Sequence, residues 1–479
     1  MKTEDCTGKA VELSETESVC PQCLSRIAAR RVARGDDIYL EKQCPEHGEF
    51  KTILWRGLET YRQWESAKIV PSCPPSCQPS SGLGCPYDCG LCEEHRQHTC
   101  CVILEVTQRC NLRCPVCFAR SGAESRTDEP GLEDIRRWCR RLLEKGGPYN
   151  VQLSGGEPTV RDDVPEIVRL VRSEGFEFVQ LNTNGLRLGE DKEYARQLKD
   201  AGLGCVFLQF DGVTAEAHRS IRGRDLRAKK LKAIRNCSTC GLGVVLVPTL
   251  VPGVNTGEIG AILELALHYA PTVRAVHFQP VSYFGRYPSE PRNEDRITLP
   301  EIMRAIELQT GGLFRACDLY PASGENAFCE FHGKFLVHSD GRVDSCGRPK
   351  NSCCAPPVDA GLVQLGAVPD GNGEGARRAR NFVARHWAMP EEPEECSPGL
   401  DLNSMDAFLA EHRQTFCISA MAFQDAWNLD LRRLKECFLH VLSPDENLVP
   451  LCAYNLTAAG GQSLYRGCGT ASPALEGKP

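Results

Sequence analysis

Three thiols, Cys110, Cys114 and Cys117, stand in a Cys-x3-Cys-x2-Cys spacing within Thr-Gln-Arg-Cys-Asn-Leu-Arg-Cys-Pro-Val-Cys-Phe, residues 107–118. A loop of that spacing can wrap three corners of one iron–sulfur cube. A [4Fe–4S] cluster closed by protein takes four cysteines, so three leave one iron open to a non-protein ligand. An open iron is a site for chemistry. The same thiols would also serve a structural zinc site, or a four-thiolate electron-transfer cluster that borrows a distant cysteine.

Other thiols fall into short-spaced groups. Cys20-Pro-Gln-Cys23 is followed by Cys44-Pro-Glu-His47, a closed set of four ligands suited to zinc or a rubredoxin-like iron, in a small knuckle-and-hairpin module spanning 1–69. Cys85, Cys89 and Cys92 repeat the first spacing inside a linker, 70–100, whose opening stretch is rich in Pro, Ser and Gly. Cys77, Cys73, Cys100 and Cys101 are each near enough in sequence to close a cluster there, which makes it auxiliary. Near the C-terminus, Cys329-Glu-Phe-His332 with Cys346, and Cys437-Phe-Leu-His440 with Cys452, each read as Cys-x-x-His, a strand, a turn carrying Asp, a return strand and a Cys. A third cluster is expected, with Cys329 and Cys346 among its ligands and Cys353, Cys437 and Cys452 in the same set. Two hairpins with buried free thiols are the alternative.

The elements that position the first loop are legible in the hydrophobic pattern. Apolar strand-like runs at 102–107, 151–154, 178–182, 205–210, 244–248 and 275–279 alternate with helical periodicity at 132–145, 164–173, 191–201, 228–237 and 259–270. Apolar strands alternating with amphipathic helices predict an α/β fold, with a parallel sheet curled into a full or partial (β/α)6 TIM-type barrel over 101–312. Each unusual loop then follows a strand: the Cys110–Cys117 loop, Gly155-Gly156-Glu157-Pro158, Thr183-Asn184-Gly185, Asp211-Gly212 and 249–255. In such a fold these loops share the face that carries the active site. Asn182, Asn184, Gln209 and Asp211 point polar groups toward the same mouth. After 312 the rhythm stops, and 313–479 is expected to form a separate C-terminal cluster domain.

The whole-chain numbers bound the partners. With 479 residues the chain is long enough for several domains and has no need of metals merely to fold. Its 28 cysteines are grouped rather than scattered, which predicts a reducing, low-oxygen cytoplasm and not a disulfide framework. A net charge of −7 without a basic run argues against nucleic acid. No signal-like start and no spanning apolar run are visible, so the expectation is a soluble protein with at most transient membrane contact.

Cys-x3-Cys-x2-Cys after the first strand and Gly-Gly-Glu-Pro after the second resemble the radical S-adenosylmethionine (radical SAM) superfamily. The resemblance implies a [4Fe–4S] cluster on Cys110, Cys114 and Cys117. Its fourth iron would be chelated by SAM, and reductive cleavage would give a 5′-deoxyadenosyl radical that abstracts hydrogen from an sp³ C–H bond. It also implies a low-potential electron donor such as ferredoxin or flavodoxin. Gly155 and Gly156 would let the backbone approach the methionyl group, Glu157 would accept from its ammonium, Pro158 completes the motif, and Phe118 would stack near adenine. The Cys-Pro-x-Cys…Cys-Pro-Glu-His-Gly module, Gly-Cys-Pro-Tyr-Asp-Cys-Gly-Leu-Cys and the C-terminal Cys-Ala-Tyr-Asn-Leu-Thr resemble the branch of archaeal tetraether lipid synthase and class D radical SAM methylases, and TrsS-like bacterial proteins. That branch implies carbon–carbon coupling of lipid chains or methylation of an apolar substrate, with two auxiliary clusters. A peptide-modifying radical enzyme, a non-catalytic iron–sulfur electron carrier and a zinc-rich binding protein are the other readings.

Overall fold

The computed structural model describes residues 10–65, 73–74, 82–122, 129–321, 324–338, 340–347, 374–389 and 414–466. The N-terminal module is a four-stranded antiparallel meander, β1 (Val11–Val19), β2 (Arg26–Arg34), β3 (Asp37–Cys44) and β4 (Gly48–Arg56). In β3, side chains alternate between buried and half-buried, as a sheet with one covered face requires. The connections after β1 and after β3 carry the two thiol motifs, and α1 (Leu58–Glu65) follows.

All six predicted parallel strands form, and in sequence order: β5 (Cys101–Thr107), β6 (Asn150–Gly155), β7 (Val179–Thr183), β8 (Cys205–Gln209), β9 (Gly243–Val247) and, after the short β10 (Thr249–Leu250), β11 (Val273–Pro280). The helices between them are α2 (Leu132–Glu144), α3 (Val164–Ser173), α4 (Leu186–Glu190), α5 (Lys192–Asp200), α6 (Ala215–Arg222), α7 (Arg227–Thr239) and α8 (Ile259–His268); α9 (Leu299–Gln309) follows β11. Ile135, Cys139 and Leu142 form the buried stripe of α2, at the i, i+4, i+7 spacing that faces a helix onto a sheet.

The chain after 312 does not form a sheet of its own. β13 (Glu330–Val337) pairs with the short β12 (Tyr320–Pro321) and β14 (Val343–Ser345), and α10 (Glu374–Trp387) leads toward β15 (Gln414–Met421). β15 lies parallel to β11 at one side of the parallel array, while β16 (Leu439–Leu442), with its antiparallel partner β17 (Leu448–Pro450), lies parallel to β5 at the other. The last third of the chain thus flanks the parallel strands on both sides. The expectation of hairpins arose because β13 and β16 each have an antiparallel return strand, and a return strand hides the second neighbour from a local reading.

The meander is fastened to this body by buried polar contacts. The Lys42 ammonium donates to Ser18 Oγ, Val19 O and Ala426 O at 3.0, 2.8 and 2.7 Å, Ser18 Oγ donates to Leu429 O, and Arg31 donates to Asp430 at 2.7 Å. Among the described residues no helix is long and apolar enough to cross a membrane.

Candidate active site

One cavity of about 350 Å³ collects side chains from every parallel strand and from the loops that follow them, a size suited to a small molecule. Cys110, Cys114, Cys117 and Phe118 line one end, and Gly155, Gly156 and Glu157 face them across it. Deeper in, the inward positions of β6, β7, β8 and β11 contribute Gln152, Gln180, Asn182, Gln209 and Gln279.

The thiol loop is held by its neighbours. Arg286 donates from Nε to Cys114 O at 2.7 Å and from Nη2 to Ser121 O at 3.0 Å, while its backbone exchanges two hydrogen bonds with Cys117. Leu112, Leu186 and Leu226 pack beside the thiols. Burial pushes the Cys110 thiol up to about 12 and raises Cys114 as well. Such thiols give up their protons when a metal takes their place. Three thiols on one short, braced loop at the wall of a cavity are a donor set that fits an iron–sulfur cluster with one open iron.

The glycine pair serves this loop directly. Gly155 ends β6 at φ +119°, and a Cβ there would stand 2.1 Å from Thr107 O; at Gly156 it would stand 2.1 Å from Arg109 O. In that space Gly156 N donates to Thr107 O at 2.8 Å and Glu157 N to Arg109 O at 2.9 Å. The close approach is to the backbone of the cysteine loop, beyond whatever the cavity holds. Gly156→Ala is therefore expected to force the two loops apart and cost about 1–3 kcal/mol, as overpacking does, read as a lower denaturant midpoint.

Glu157 is turned to the same task. Its carboxylate accepts from Thr159 N and Oγ1, Thr183 Oγ1 and Asn184 N, between 2.6 and 3.1 Å, so it ties the second loop to the third. Burial raises its pKa against the lowering effect of these bonds. Pro158 starts the short turn that this carboxylate caps. Asn184 continues the chain of contacts, donating from Nδ2 to Asn111 Oδ1 at 2.8 Å inside the cysteine loop.

Asp211 sits below the mouth, fully buried, and its carboxylate is taken up by Arg222 through bonds of 2.7 and 2.6 Å and by the amide of Thr249. Lys230 Nζ lies 3.7 Å away, also fully buried. Burial alone would push Asp211 up, but the Arg222 guanidinium holds it well below the usual carboxylate range. Arg222, not Asp211, reaches the cavity wall beside Cys114, where its Nη1 donates to Val116 O at 3.4 Å. Sequence reasoning missed Arg222. The available signal was its place at the last turn of α6, where Gly223 follows in the left-handed conformation and ends the helix.

Comparison with known proteins decides the family. The radical SAM superfamily model matches residues 104–266, and a model described as the HMPTM N-terminal zinc ribbon domain matches 12–56. The 7,8-dihydro-6-hydroxymethylpterin dimethyltransferase of Methanocaldococcus jannaschii is 35% identical over 472 residues, covering 92% of this chain and 93% of that one. The chain is a radical SAM enzyme. The GTP 3′,8-cyclase of Chlorobaculum tepidum is 30% identical over 263 residues, 51% of this chain and 77% of its own. Among solved structures, "Native anSMEcpe with bound AdoMet and Cp18Cys peptide" is 17% identical with a TM-score of 0.35, covering 45% of this chain and 62% of that one.

Membership of the superfamily implies a [4Fe–4S] cluster and SAM. This radical SAM enzyme also carries a zinc ribbon, where Cys20, Cys23, Cys44 and His47 converge with all ligand atoms within 4.8 Å of one another. Cys44 Sγ lies 3.4 Å from His47 Nδ1 and 4.0 Å from Cys23 Sγ, and Cys20 Sγ lies 3.7 Å from His47 Nδ1. Those spacings match the edges of a tetrahedron around zinc, about 3.5–3.8 Å for bonds to nitrogen and sulfur. Cys44→Ser is expected to lower bound zinc from about one per chain to well under half, with iron unchanged, by elemental analysis.

In the linker, the Cys89 thiol donates to Pro86 O at 3.3 Å, and the neighbouring Cys85, burial and Cys92 push its pKa up. The segment is clasped by the ribbon, where Tyr87 Oη donates to Leu24 O at 2.7 Å, and by Tyr465, whose Oη donates to Pro86 O at 2.6 Å and accepts from Cys89 N. Of the expected fourth ligands, Cys77 lies outside the described residues, Cys73 is exposed, and Cys100 and Cys101 line the barrel cavity instead.

The C-terminal group needs correction. Cys346 N donates to Lys334 O, which places this exposed thiol five residues along β13 from Cys329, roughly 16 Å away at strand rise. A cluster cannot span that. Cys329 instead neighbours Cys437 and Cys452; burial raises the pKa of all three thiols, and Cys452 and Cys329 raise Cys437 further, while Arg433 donates to Cys329 Sγ at 3.3 Å and Gln424 N donates to Cys452 Sγ at 3.2 Å. Cys353 lies outside the described residues. Cys437 and Cys452 come together because the β16–β17 pairing of His440 with Pro450 closes the hairpin base between them.

Proposed function

We propose that Cys110, Cys114 and Cys117 hold the superfamily's cluster and that this enzyme transfers a one-carbon unit to a compact, polar heterocycle of the reduced-pterin class. The observation that carries the reading is the single cavity that joins these thiols to a barrel interior lined by carboxamides. Cys110, Cys114 and Cys117 would hold the cluster, which would supply the electron for reductive cleavage of SAM. Arg222, fixed by Asp211 beside Cys114, presents a cation suited to the SAM carboxylate. Phe118, edge-on to Phe284 and Phe423, offers a ring face for adenine. The braced Glu157–Asn184–Asn111 contacts keep the two loops at a fixed spacing, so that the 5′ carbon and the target C–H meet in one geometry.

Lipid-chain coupling asks for a long apolar tunnel, and burying polyamide walls against an alkyl chain would leave their hydrogen bonds unmade. The carboxamide lining therefore favours a polar substrate, as does the relative that acts on a pterin. We further propose the Cys85–Cys89–Cys92 and Cys329–Cys437–Cys452 groups as auxiliary cluster positions, with a ferredoxin- or flavodoxin-like donor supplying electrons.

The test is anaerobic reconstitution followed by reaction with dithionite, 6-hydroxymethyl-7,8-dihydropterin, excess SAM and methylenetetrahydrofolate, the last two offered as alternative one-carbon donors because the SAM that is cleaved keeps its methyl group on methionine. The expected products are 5′-deoxyadenosine and a methylated pterin by mass spectrometry. Deoxyadenosine without methylated product would overturn the substrate class, and no deoxyadenosine from an iron-replete sample would overturn the placement of the cluster.

A further inference from the structure

Three carboxamides inside the barrel have an unmade hydrogen bond. Gln180 Oε1, Asn182 Oδ1 and Gln209 Oε1 are buried, face the cavity and meet no partner. Gln180 is only 3% exposed. Native interiors rarely leave such groups unpaired, so a wall that gathers three of them is shaped for something that completes them. Their positions follow from the strand period. Gln180 and Asn182 are two apart on β7, and the β7–β8 register sets Asn182 opposite Phe207, with Gln209 two further along on the same face. Asn182 Nδ2 meets Ser154 Oγ at 3.4 Å, which orients its amide.

Beside this wall is an aromatic floor. Phe207 lies 5.1 Å from Trp387 at 31° and 5.5 Å from His277 at 41°, and His277 lies 6.0 Å from Trp387. Trp387 comes from the end of α10, outside the βα series. Its carbonyl would stand 2.7 Å from a Cβ at Gly243, the first residue of β9, so the helix closes the barrel at the N-terminal end of its strands. His277 is fixed by Ser419 Oγ at 2.8 Å from Nδ1. The result is a closed floor of ring faces meeting a side wall of amides.

We infer that Gln180, Asn182 and Gln209 read the N–H-bearing edge of a fused nitrogen heterocycle whose ring face lies on Phe207, His277 and Trp387. This rests on the proposed substrate class and goes beyond it, by assigning specificity to six residues and one of them to the C-terminal helix. A flat ring presents its hydrogen-bonding groups in one plane at its rim, which is the only arrangement that lets one ligand satisfy three amides on adjacent strands while stacking on rings below.

The probe is pterin itself, whose fluorescence reports stacking, titrated into the full-length reconstituted protein. Lumazine, which has oxygen in place of the 2-amino group, is the comparison ligand. Wild type is expected to bind pterin with quenching and lumazine about tenfold more weakly, the effect of one lost hydrogen bond in a closed site. Gln180→Leu and Gln209→Leu should each weaken pterin binding by about tenfold or more, while Gln180→Glu, which keeps the acceptor oxygens, should stay within about threefold. Trp387→Leu should remove most of the quenching. Equal binding of pterin and lumazine by wild type, or pterin binding by both leucine variants within twofold of wild type, would overturn the inference, and the ligand comparison decides it even if a variant does not fold. Pterin binding by a protein that forms no 5′-deoxyadenosine from SAM would leave this inference standing and sink the function proposed above. Methylation of the dihydropterin by a protein that binds pterin and lumazine equally would do the reverse, and deoxyadenosine formation without pterin binding would overturn both.

Discussion

Cys114→Ala protein is expected to form no detectable 5′-deoxyadenosine from SAM and dithionite, and to lose about four iron atoms per chain, while retaining its zinc. Cys114 is the middle thiol of the loop after β5, and its carbonyl, not its side chain, is what Arg286 holds. The substitution therefore removes a ligand without removing the brace, and the loop keeps its course. Two thiols are left for a cube that needs three protein corners. The zinc ligands all lie between residues 20 and 47, on a sheet whose strands pair only with one another. Zinc and iron are measured together by elemental analysis. Loss of both metals would mean that the ribbon and the barrel fold as one unit, and retention of iron with SAM cleavage would remove Cys114 from the ligand set.

The second large effect is expected at a residue that touches no ligand. Asp211→Asn leaves Arg222 and Lys230 buried without their shared carboxylate. Breaking a buried ion pair by removing one partner costs about 3–5 kcal/mol, because the remaining charge has no water to return to. Burial already pulls Lys230 down to about 8 in the presence of Asp211. Lys230→Met in the same chain should restore part of the loss, since it removes the cation that Arg222 repels. A double-mutant cycle on denaturant midpoints measures that coupling. Equal and additive losses would show that the two cations do not share the carboxylate. Arg222 also loses its anchor in Asp211→Asn, so SAM binding should weaken alongside stability, by about tenfold or more.

How far these features could be read in advance depends on how local they are. The six parallel strands were legible because each is a short apolar run closed by a turn signal, and β8 was expected from Cys205, where it begins. The glycine pair was legible as a need for space, but its neighbour was not. Only the folded chain shows that Gly155 and Gly156 make room for Thr107 and Arg109 rather than for a ligand alone. Asp211 was expected at the mouth because it follows a strand; its partner Arg222 lies eleven residues on, at the far end of a helix, where no strand-end rule points. Cys346 illustrates the opposite limit. Its sequence distance from Cys329 resembles that of Cys452 from Cys437, yet β14 ends at Ser345 opposite Phe335 and the amide of Cys346 meets Lys334 O, so its thiol is left near the middle of β13. Register decides which thiols meet, and register depends on partners that sequence spacing does not contain.

The placement of β16 beside β5 bears on how the protein matures in the cell. Leu439 pairs with Cys101 across more than three hundred residues of sequence, and β5 is the strand that carries the cysteine loop. During synthesis β5 emerges early and gains its β6 neighbour soon after, but its other edge waits until the final segment leaves the ribosome. An open strand edge held that long is a template for aggregation. Insertion of iron into the loop after β5 should therefore be a late, post-translational event, and chains terminated before residue 439 should accumulate as insoluble, iron-free protein however complete their cysteine motif.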